Sequence, residues 1–369
     1  MSMEYLFKPL KIGNMELKSR TGLAPMATGL DTNGEFSQRS LDFYEERAKG
    51  GVGFITVGVV TVDKKARYRV DTEGTKDQKN PGAWDDKFIP TWTKLADTVH
   101  KHGTKLIPQL FHPGNLDPTV PIAPSYVPLP TRDPSRTIIP KELSIDDIKQ
   151  IEKDFADAAY RMKVAGCDGI QFHMSHGAYG LVAAFASPFL NKRTDEYGGN
   201  LEGRMRFPVE CIREIRTKVG RNFPIIIRLS GEELVPGGRT IIETAYIANM
   251  LEKEGVDAIE VSAGTVPDSI YRVVPAIGTP LALNSDYSEA IKKVVNIPVL
   301  VVGNIKSPQA AEYLIETGKA DGVVVGRGFL ADPAWPNKAA AGKFDDIAYC
   351  SGCGACTKVG GTGRPITCV

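Results

Sequence analysis

The chain has 369 residues, 42% of them hydrophobic and 24% charged, with 45 basic against 44 acidic side chains. This is ordinary globular composition, and the absence of a basic run interleaved with aromatics argues against a nucleic-acid partner. No apolar run reaches the roughly eighteen residues of a membrane span. The opening MSMEYLFKPLKIG has no apolar signal core with a small-residue cleavage site, so a cytoplasmic protein with reduced thiols is expected.

Eight short apolar runs recur along the chain, each followed by a turn and a helical pattern. They are Thr21–Thr28, Val52–Val60, Lys105–Phe111, Gly169–Ser175, Pro224–Ser230, Ala258–Gly264, Pro298–Asn304 and Gly322–Gly328. Runs such as IIIRL and VLVVG are apolar on both faces, the mark of parallel strands covered on both sides. Amphipathic helices are expected between them, for example over Ile145–Ala165 and Leu201–Val219, and Ser144 with Asp147 resembles a capping box. Eight strand–helix units in about 330 residues is the arithmetic of an α/β fold of (β/α)8 barrel type. A doubly wound sheet would carry a G-x-G-x-x-G turn after its first strand, where this chain reads APMATGL.

The expected organisation is a barrel over residues 1–345 and a cysteine-rich segment over 346–369. Residues 112–140 hold no helical periodicity and many prolines. A loop of that length without secondary structure is usually functional or disordered. Following the third strand, it is expected to wall the face where barrel active sites lie.

The strand ends carry the chemistry. Of five histidines, His173 and His176 leave the fourth strand three residues apart and His112 ends the third. His100 and His102 close a helix, where C-terminal charge is reason enough. His173 and His176 suit either two hydrogen bonds to one oxygen or a metal, although no carboxylate or third His stands in their segment. Tyr179 adds a phenol able to deliver a proton. VVGN and VVGRG, at the seventh and eighth strand ends, place Gly303 and Gly326 where backbone N–H groups reach phosphate oxygens, with Arg327 as a charge-assisted partner. With Gln109 and Arg228 these residues line one ligand from phosphate to ring system.

Four of the six cysteines fall near the end of the chain, Cys350, Cys353, Cys356 and Cys368. Three at two-residue intervals with a fourth more distant is how a chain wraps a cubane 4Fe-4S cluster. A zinc site with four thiolate ligands is the alternative, although zinc sites more often pair two C-x2-C knuckles. Cys167 and Cys211 sit in apolar settings and are expected to be packing residues.

The ordered set LFKPLKIGNMELKSR, APMATGL, PQLFHPG, SPFLNKRTDEYGGNLEGRMRF, IIIRLS and VVVGRGFLADP resembles the old yellow enzyme family of FMN-dependent barrels along essentially the whole chain. That resemblance implies that Pro25, Met26, Ala27 and Thr28 contact the isoalloxazine, with Gly58 and Val59 as further cofactor-binding residues. It implies that Gln109 bonds the pyrimidine edge and that Arg228 stabilises charge on reduced flavin. Gly303, Asn304, Gly326 and Arg327 would hold the phosphate. His173 and His176 match the pair that grips a substrate carbonyl or carboxylate oxygen, and Tyr179 matches the proton donor. The H-x-x-H-x-x-Y spacing resembles the 2-enoate and bile-acid enone reductase branch. Cluster-bearing relatives, among them 2,4-dienoyl-CoA reductase and trimethylamine dehydrogenase, carry a similar cysteine quartet after the same strand.

The implied activity is reduction of the C=C bond of an α,β-unsaturated carbonyl or carboxylate, a hydride passing from flavin N5 and a proton from Tyr179. Electrons would come from NAD(P)H or from a separate FAD- or ferredoxin-type protein. The alternatives are a flavin-dependent amine dehydrogenase or demethylase, or an electron-transfer module serving a separate partner. Two departures from the family pattern stand out. Asn115 replaces the arginine of the QLxHxGR turn, and the chain stops one residue after its fourth cysteine, where cluster-bearing relatives continue into further domains. A natural short form or a piece of a longer enzyme is expected. Asp268 and Tyr271, after the sixth strand, are expected to line the substrate pocket. A homo-oligomer is compatible with the sequence, and no motif assigns its size.

Overall fold

The structure, a computed structural model, describes residues 3–66, 80–117, 120–130, 137–265, 269–360 and 364–369. Eight parallel strands close into a barrel: β1 (Thr21–Leu23), β2 (Phe54–Thr61), β3 (Lys105–Phe111), β4 (Ile170–Met174), β5 (Ile225–Ser230), β6 (Ala258–Ser262), β7 (Val299–Val302) and β8 (Gly322–Val325). β8 pairs back onto β1. Outside lie α1 (Gln38–Lys49), α2 (Ile89–His100), α3 (Ile145–Val164), α4 (Leu201–Val219), α5 (Ile241–Lys253), α6 (Ser285–Lys292) and α7 (Pro308–Glu316), with a short helix Trp335–Ala340 in eighth place. The expected (β/α)8 barrel is therefore the observed fold. Among the described residues no helix is long and apolar enough to cross a membrane.

Strand alternation explains the two cores. In β5, Ile225, Ile227 and Leu229 join the large cluster beneath the helices. Ile226 faces inward instead, with Phe54, Ile107, Ala258, Leu300 and Val324. An antiparallel hairpin, Leu10–Ile12 with Met15–Leu17, adds Leu10, Ile12, Met15 and Leu17 to that inner cluster and closes the amino-terminal end of the barrel. Apolar filling at this end leaves the carboxyl end of each strand free for polar side chains.

The capping box forms as expected. Ser144 Oγ accepts from Asp147 N at 3.2 Å and Asp147 Oδ2 accepts from Ser144 N at 3.3 Å. Five strands, β1, β4, β6, β7 and β8, end earlier than the apolar runs do. β1 stops before Pro25, which has no N–H for a ladder. β7 stops where Gly303 (φ +143°) and Asn304 (φ +53°) leave the extended region. Beyond β8 the chain turns into a one-turn helix, Arg327–Ala331.

The proline-rich stretch corrects the expectation of a loop without secondary structure. Ile122–Ala123 pairs in parallel with Lys141–Glu142, and Leu129–Pro130 pairs antiparallel with Thr137–Ile138. Leu129 packs on Ala178, Ala184 and Leu190, behind the turn that follows β4. Residues 118–119 and 131–136 of this stretch lie outside the described residues.

Candidate active site and cysteine cavity

Register brings the inward polar residues of four strands to one level. Gln171 stands opposite Gln109, His173 opposite Arg228, Arg228 opposite Glu260, and Ser230 opposite Ser262. Gln109 Nε2 donates to Gln171 Oε1 at 2.6 Å, and Gln171 Nε2 donates to Glu260 Oε2 at 2.7 Å. Arg228 Nη1 completes the relay 2.9 Å from Glu260 Oε1. Gln171 and Glu260 are fully buried. Burial pushes the Glu260 carboxyl above its usual range, and Arg228 and Gln171 pull it back only in part. The motifs marked Gln109 and Arg228 but missed Gln171 and Glu260. Their sequence signal is a polar residue at an inward position of an otherwise apolar strand, IQFHM and AIEVS.

His173 and His176 are both buried, with ring centroids 5.9 Å apart. Phe111 meets His173 edge-on at 5.0 Å. His176 adopts a left-handed backbone (φ 55°), held by its N–H donating to Ser230 Oγ at 3.0 Å. Its Nε2 lies 2.9 Å from Ser262 Oγ and its Nδ1 3.3 Å from Ser175 Oγ. Burial, then the Arg228 charge, pushes His173 down to about 3 and His176 well below the ordinary imidazole value. Both rings are therefore neutral near pH 7, and each offers one N–H. Hydroxyl partners donate or accept, so Ser175 and Ser262 select which nitrogen of His176 carries the hydrogen. Of Tyr179 the backbone is described, in a one-turn helix Gly177–Tyr179, and its side chain lies outside the described set.

A cavity of about 300 Å³ opens above this layer. Pro25, Met26, Ala27, Gly58, Val59, Gln109, His173, His176 and Arg228 line one part of it, and Gly303, Asn304, Gly326 and Arg327 another. Arg228 Nε and Arg327 Nη1 are buried without a hydrogen-bond partner among the described residues, and a Cβ on Gly326 would stand 3.5 Å from Ala24 Cβ. Two cationic side chains on one cavity wall, each with a buried donor to spare, fit an anionic ligand with a polar edge.

Some expectations shift in detail. Thr28 is buried and is absent from the cavity wall, and its carbonyl instead accepts from Ile366 N at 2.8 Å, tying the cysteine tail to the segment after β1. Asn304 Nδ2 donates to the carbonyls of Thr279 and Pro280, both at 2.8 Å, so its side-chain N–H groups are already committed. Tyr271 is half exposed and outside the wall, where Val273, Val274 and Pro275 stand instead; Asp268 lies outside the described residues. No described residue of the proline-rich stretch lines the cavity. His112 turns away, with Nδ1 accepting from Gly114 N at 3.1 Å and Nε2 3.7 Å from Asp63. Cys167 and Cys211 are buried packing residues, their thiols pushed far up by burial.

Cys350 and Cys356 also line the large cavity, and all four tail cysteines line a smaller one beside it, of about 120 Å³. Arg327 and Leu330 belong to both walls. The Cys353 thiol is held below its usual range by the Ala355 backbone N–H and the Ser351 side chain. Cys368 is pushed up by burial and by the other three sulfurs. Among the described residues no three His, Cys, Asp or Glu side chains converge as ligands of one metal ion.

Known proteins carry the same frame. The chain is 42% identical over 359 residues to an NADH oxidase of Thermoanaerobacter brockii, covering 94% of this chain and 52% of that protein. It is 34% identical over 373 residues to a cinnamate reductase of Clostridium sporogenes, covering 94% and 54%. A solved 2-naphthoyl-CoA reductase in complex with 2-naphthoyl-CoA superposes with a TM-score of 0.90 at 26% identity, over 99% of this chain and 56% of that one. The chain thus spans about half the length of these relatives. With residues 5–346 matching the NADH:flavin oxidoreductase / NADH oxidase family, the chain belongs to that family, the old yellow enzyme barrels.

Proposed function

We propose that the chain is the barrel of an FMN- and 4Fe-4S-dependent ene-reductase acting on an α,β-unsaturated carbonyl or carboxylate. The observation that carries this reading is a pair of neutral, buried imidazoles beside the Arg228 guanidinium, in a cavity that runs on to the cysteine segment. Gln109 and Arg228 would hold the ring system of FMN, backbone N–H groups at Gly303, Asn304 and Gly326 with the Arg327 side chain its phosphate, and the four tail cysteines the cluster. Bound FMN would supply the hydride and the cluster single electrons.

The chain's own residues supply the rest. One N–H from each imidazole binds the substrate oxygen, that of His176 exchanging a serine hydroxyl for it, and stabilises the charge that develops there, where burial of both rings limits screening by water. The Arg228 charge beside the pair strengthens that effect and disfavours a cationic amine, so oxygen substrates are favoured over amine dehydrogenation. Tyr179, three residues after His176, delivers a proton to the α-carbon. The likeness to a cinnamate reductase and to a reductase of an aromatic CoA thioester supports unsaturated acids or their thioesters as the substrate class. NAD(P)H or a separate electron-transfer protein is the proposed reductant.

The cysteine spacing favours a cluster over zinc, whose four-thiolate sites more often pair two C-x2-C knuckles. A cubane binds each thiolate at a different iron, so sulfurs spread around a common cavity suit it.

The test is the loaded protein's visible spectrum, its iron and acid-labile sulfide content, and anaerobic turnover with cinnamate, a 3-oxo-Δ4-steroid and trimethylamine. Flavin bands with a broad cluster absorbance that bleaches on reduction, and turnover of the unsaturated substrates, are expected. Turnover of trimethylamine alone would overturn the reading. Tyr179→Phe should slow substrate reduction and leave flavin reduction intact, and equal loss of both half-reactions refutes the proton-donor role.

A further inference from the structure

Lys306 follows β7 and had no place in the motifs, yet it lines the large cavity. Its Nζ lies 3.2 Å from where a Cβ on Gly352 would stand, against the buried backbone of the turn between Cys350 and Cys353. Gly352 holds a left-handed φ of +84° there, and the space its missing Cβ leaves is the space the ammonium approaches. Other lysines are paired, Lys292 with Asp321, Lys319 with Glu289 and Lys338 with Asp332. Lys306 has no such partner among the described residues, and no described Asp or Glu lines either cavity. Arg327, whose buried Nη1 has no partner among the described residues, lines both cavities and is the second cation on this boundary.

We propose that Lys306 is the electrostatic positioning residue of the cysteine cavity, raising the reduction potential of the iron–sulfur cluster held there. The inference rests on the cluster reading above. Four thiolate ligands give such a site a large negative charge, and reduction adds more. An ammonium beside the Gly352 turn, in a region where water is partly excluded and no described carboxylate neutralises it, stabilises the added electron. Net charge and hydrogen bonding around the sulfurs are what set such potentials. Lys306 also lines the flavin cavity, so one side chain acts on the electrical balance between the two sites.

The test uses the full chain carrying FMN and cluster, with Lys306→Gln, Lys306→Met and Lys306→Arg compared by redox titration monitored by electron paramagnetic resonance. Lys306→Gln and Lys306→Met should lower the cluster's reduced-to-oxidised ratio at fixed ambient potential on the order of tenfold, about 59 mV for a one-electron couple. Lys306→Arg should stay near the wild-type potential. FMN content and thermal unfolding, which a merely structural role would move, should not change. A potential indifferent to both neutral variants, with FMN affinity reduced, assigns Lys306 to the flavin phosphate and overturns the proposal. Wild-type protein without iron and labile sulfide overturns the cluster reading itself, whereas a normal cluster insensitive to Lys306 overturns this inference alone. Of the two neutral variants, Lys306→Met keeps the apolar stem, so a folding defect confined to Lys306→Gln leaves the measurement decisive.

Discussion

Glu260→Ala would remove the acceptor shared by Arg228 Nη1 and Gln171 Nε2, both inside the barrel. Truncating one partner of a buried ion pair leaves the other charge desolvated and costs about 3–5 kcal/mol. Glu260→Gln is a different perturbation, because it keeps the shape and an acceptor for Gln171. Burial already draws Glu260 toward its neutral form, so the neutral isostere should cost about 1 kcal/mol, one ordinary hydrogen bond. Replacing both partners, as Arg228→Met with Glu260→Leu, should recover most of the loss while weakening FMN binding. Urea unfolding of the flavin-stripped chain measures all three.

The pH dependence adds a second check. A carboxyl raised on folding contributes stability that is full below its ordinary value, 4.5 for Glu260. That contribution is lost as pH rises through the folded value. The stability gap between wild type and Glu260→Gln should therefore narrow as pH rises. A gap that widens, or a Glu260→Gln cost equal to that of Glu260→Ala, would refute the view that desolvation outweighs the Arg228 attraction.

Ser262→Ala removes the 2.9 Å partner of His176 Nε2; kcat/KM for the unsaturated substrate should fall roughly tenfold, about 1.4 kcal/mol, with FMN affinity unchanged, and an unaltered kcat/KM speaks against a tautomer-setting role. Gly50→Ala would set a Cβ 1.7 Å from the Pro333 carbonyl oxygen, a backbone clash expected to cost about 3 kcal/mol. Gly166→Ala meets nothing within 4 Å but keeps a φ of +85°, so about 1 kcal/mol of strain is expected, and thermal unfolding should rank the two in that order. Burial and the neighbouring Glu210 push Glu152 up to about 7 from an ordinary 4.5, against the pull of Lys149. Its stability contribution is full below about 4.5 and lost as pH rises through about 7, so Glu152→Gln should flatten the unfolding profile across that window and be relatively more stable at pH 8.

Much of the site was readable in one dimension because its parts are local. His173 and His176 share one strand exit, Gly303 and Arg327 sit in turns that announce themselves by glycine, and three cysteines stand at two-residue spacing. The eight strands were legible because burial from both sides leaves an apolar run that no exposed loop would keep. Their ends were not, since a strand stops where φ changes sign or an N–H is missing, and Pro25 and Gly303 act at single residues. The pairings within the proline-rich stretch escaped because two-residue strands have no period to detect.

The sequence alone determined the barrel, the flavin family and the cysteine quartet, because each rests on short-range spacing or on composition repeated eight times. Only the tertiary structure decided which side chains share an environment. Gln109, Gln171 and Glu260 form one relay across gaps of 62 and 89 residues. Ile366 reaches Thr28 across the length of the chain, and Lys306 meets the turn at Gly352. Barrel closure and strand register create those meetings, and burial then neutralises His173 and His176 and lifts Glu260. Desolvation depends on everything packed around a group, so it arises only when the distant segments have come together.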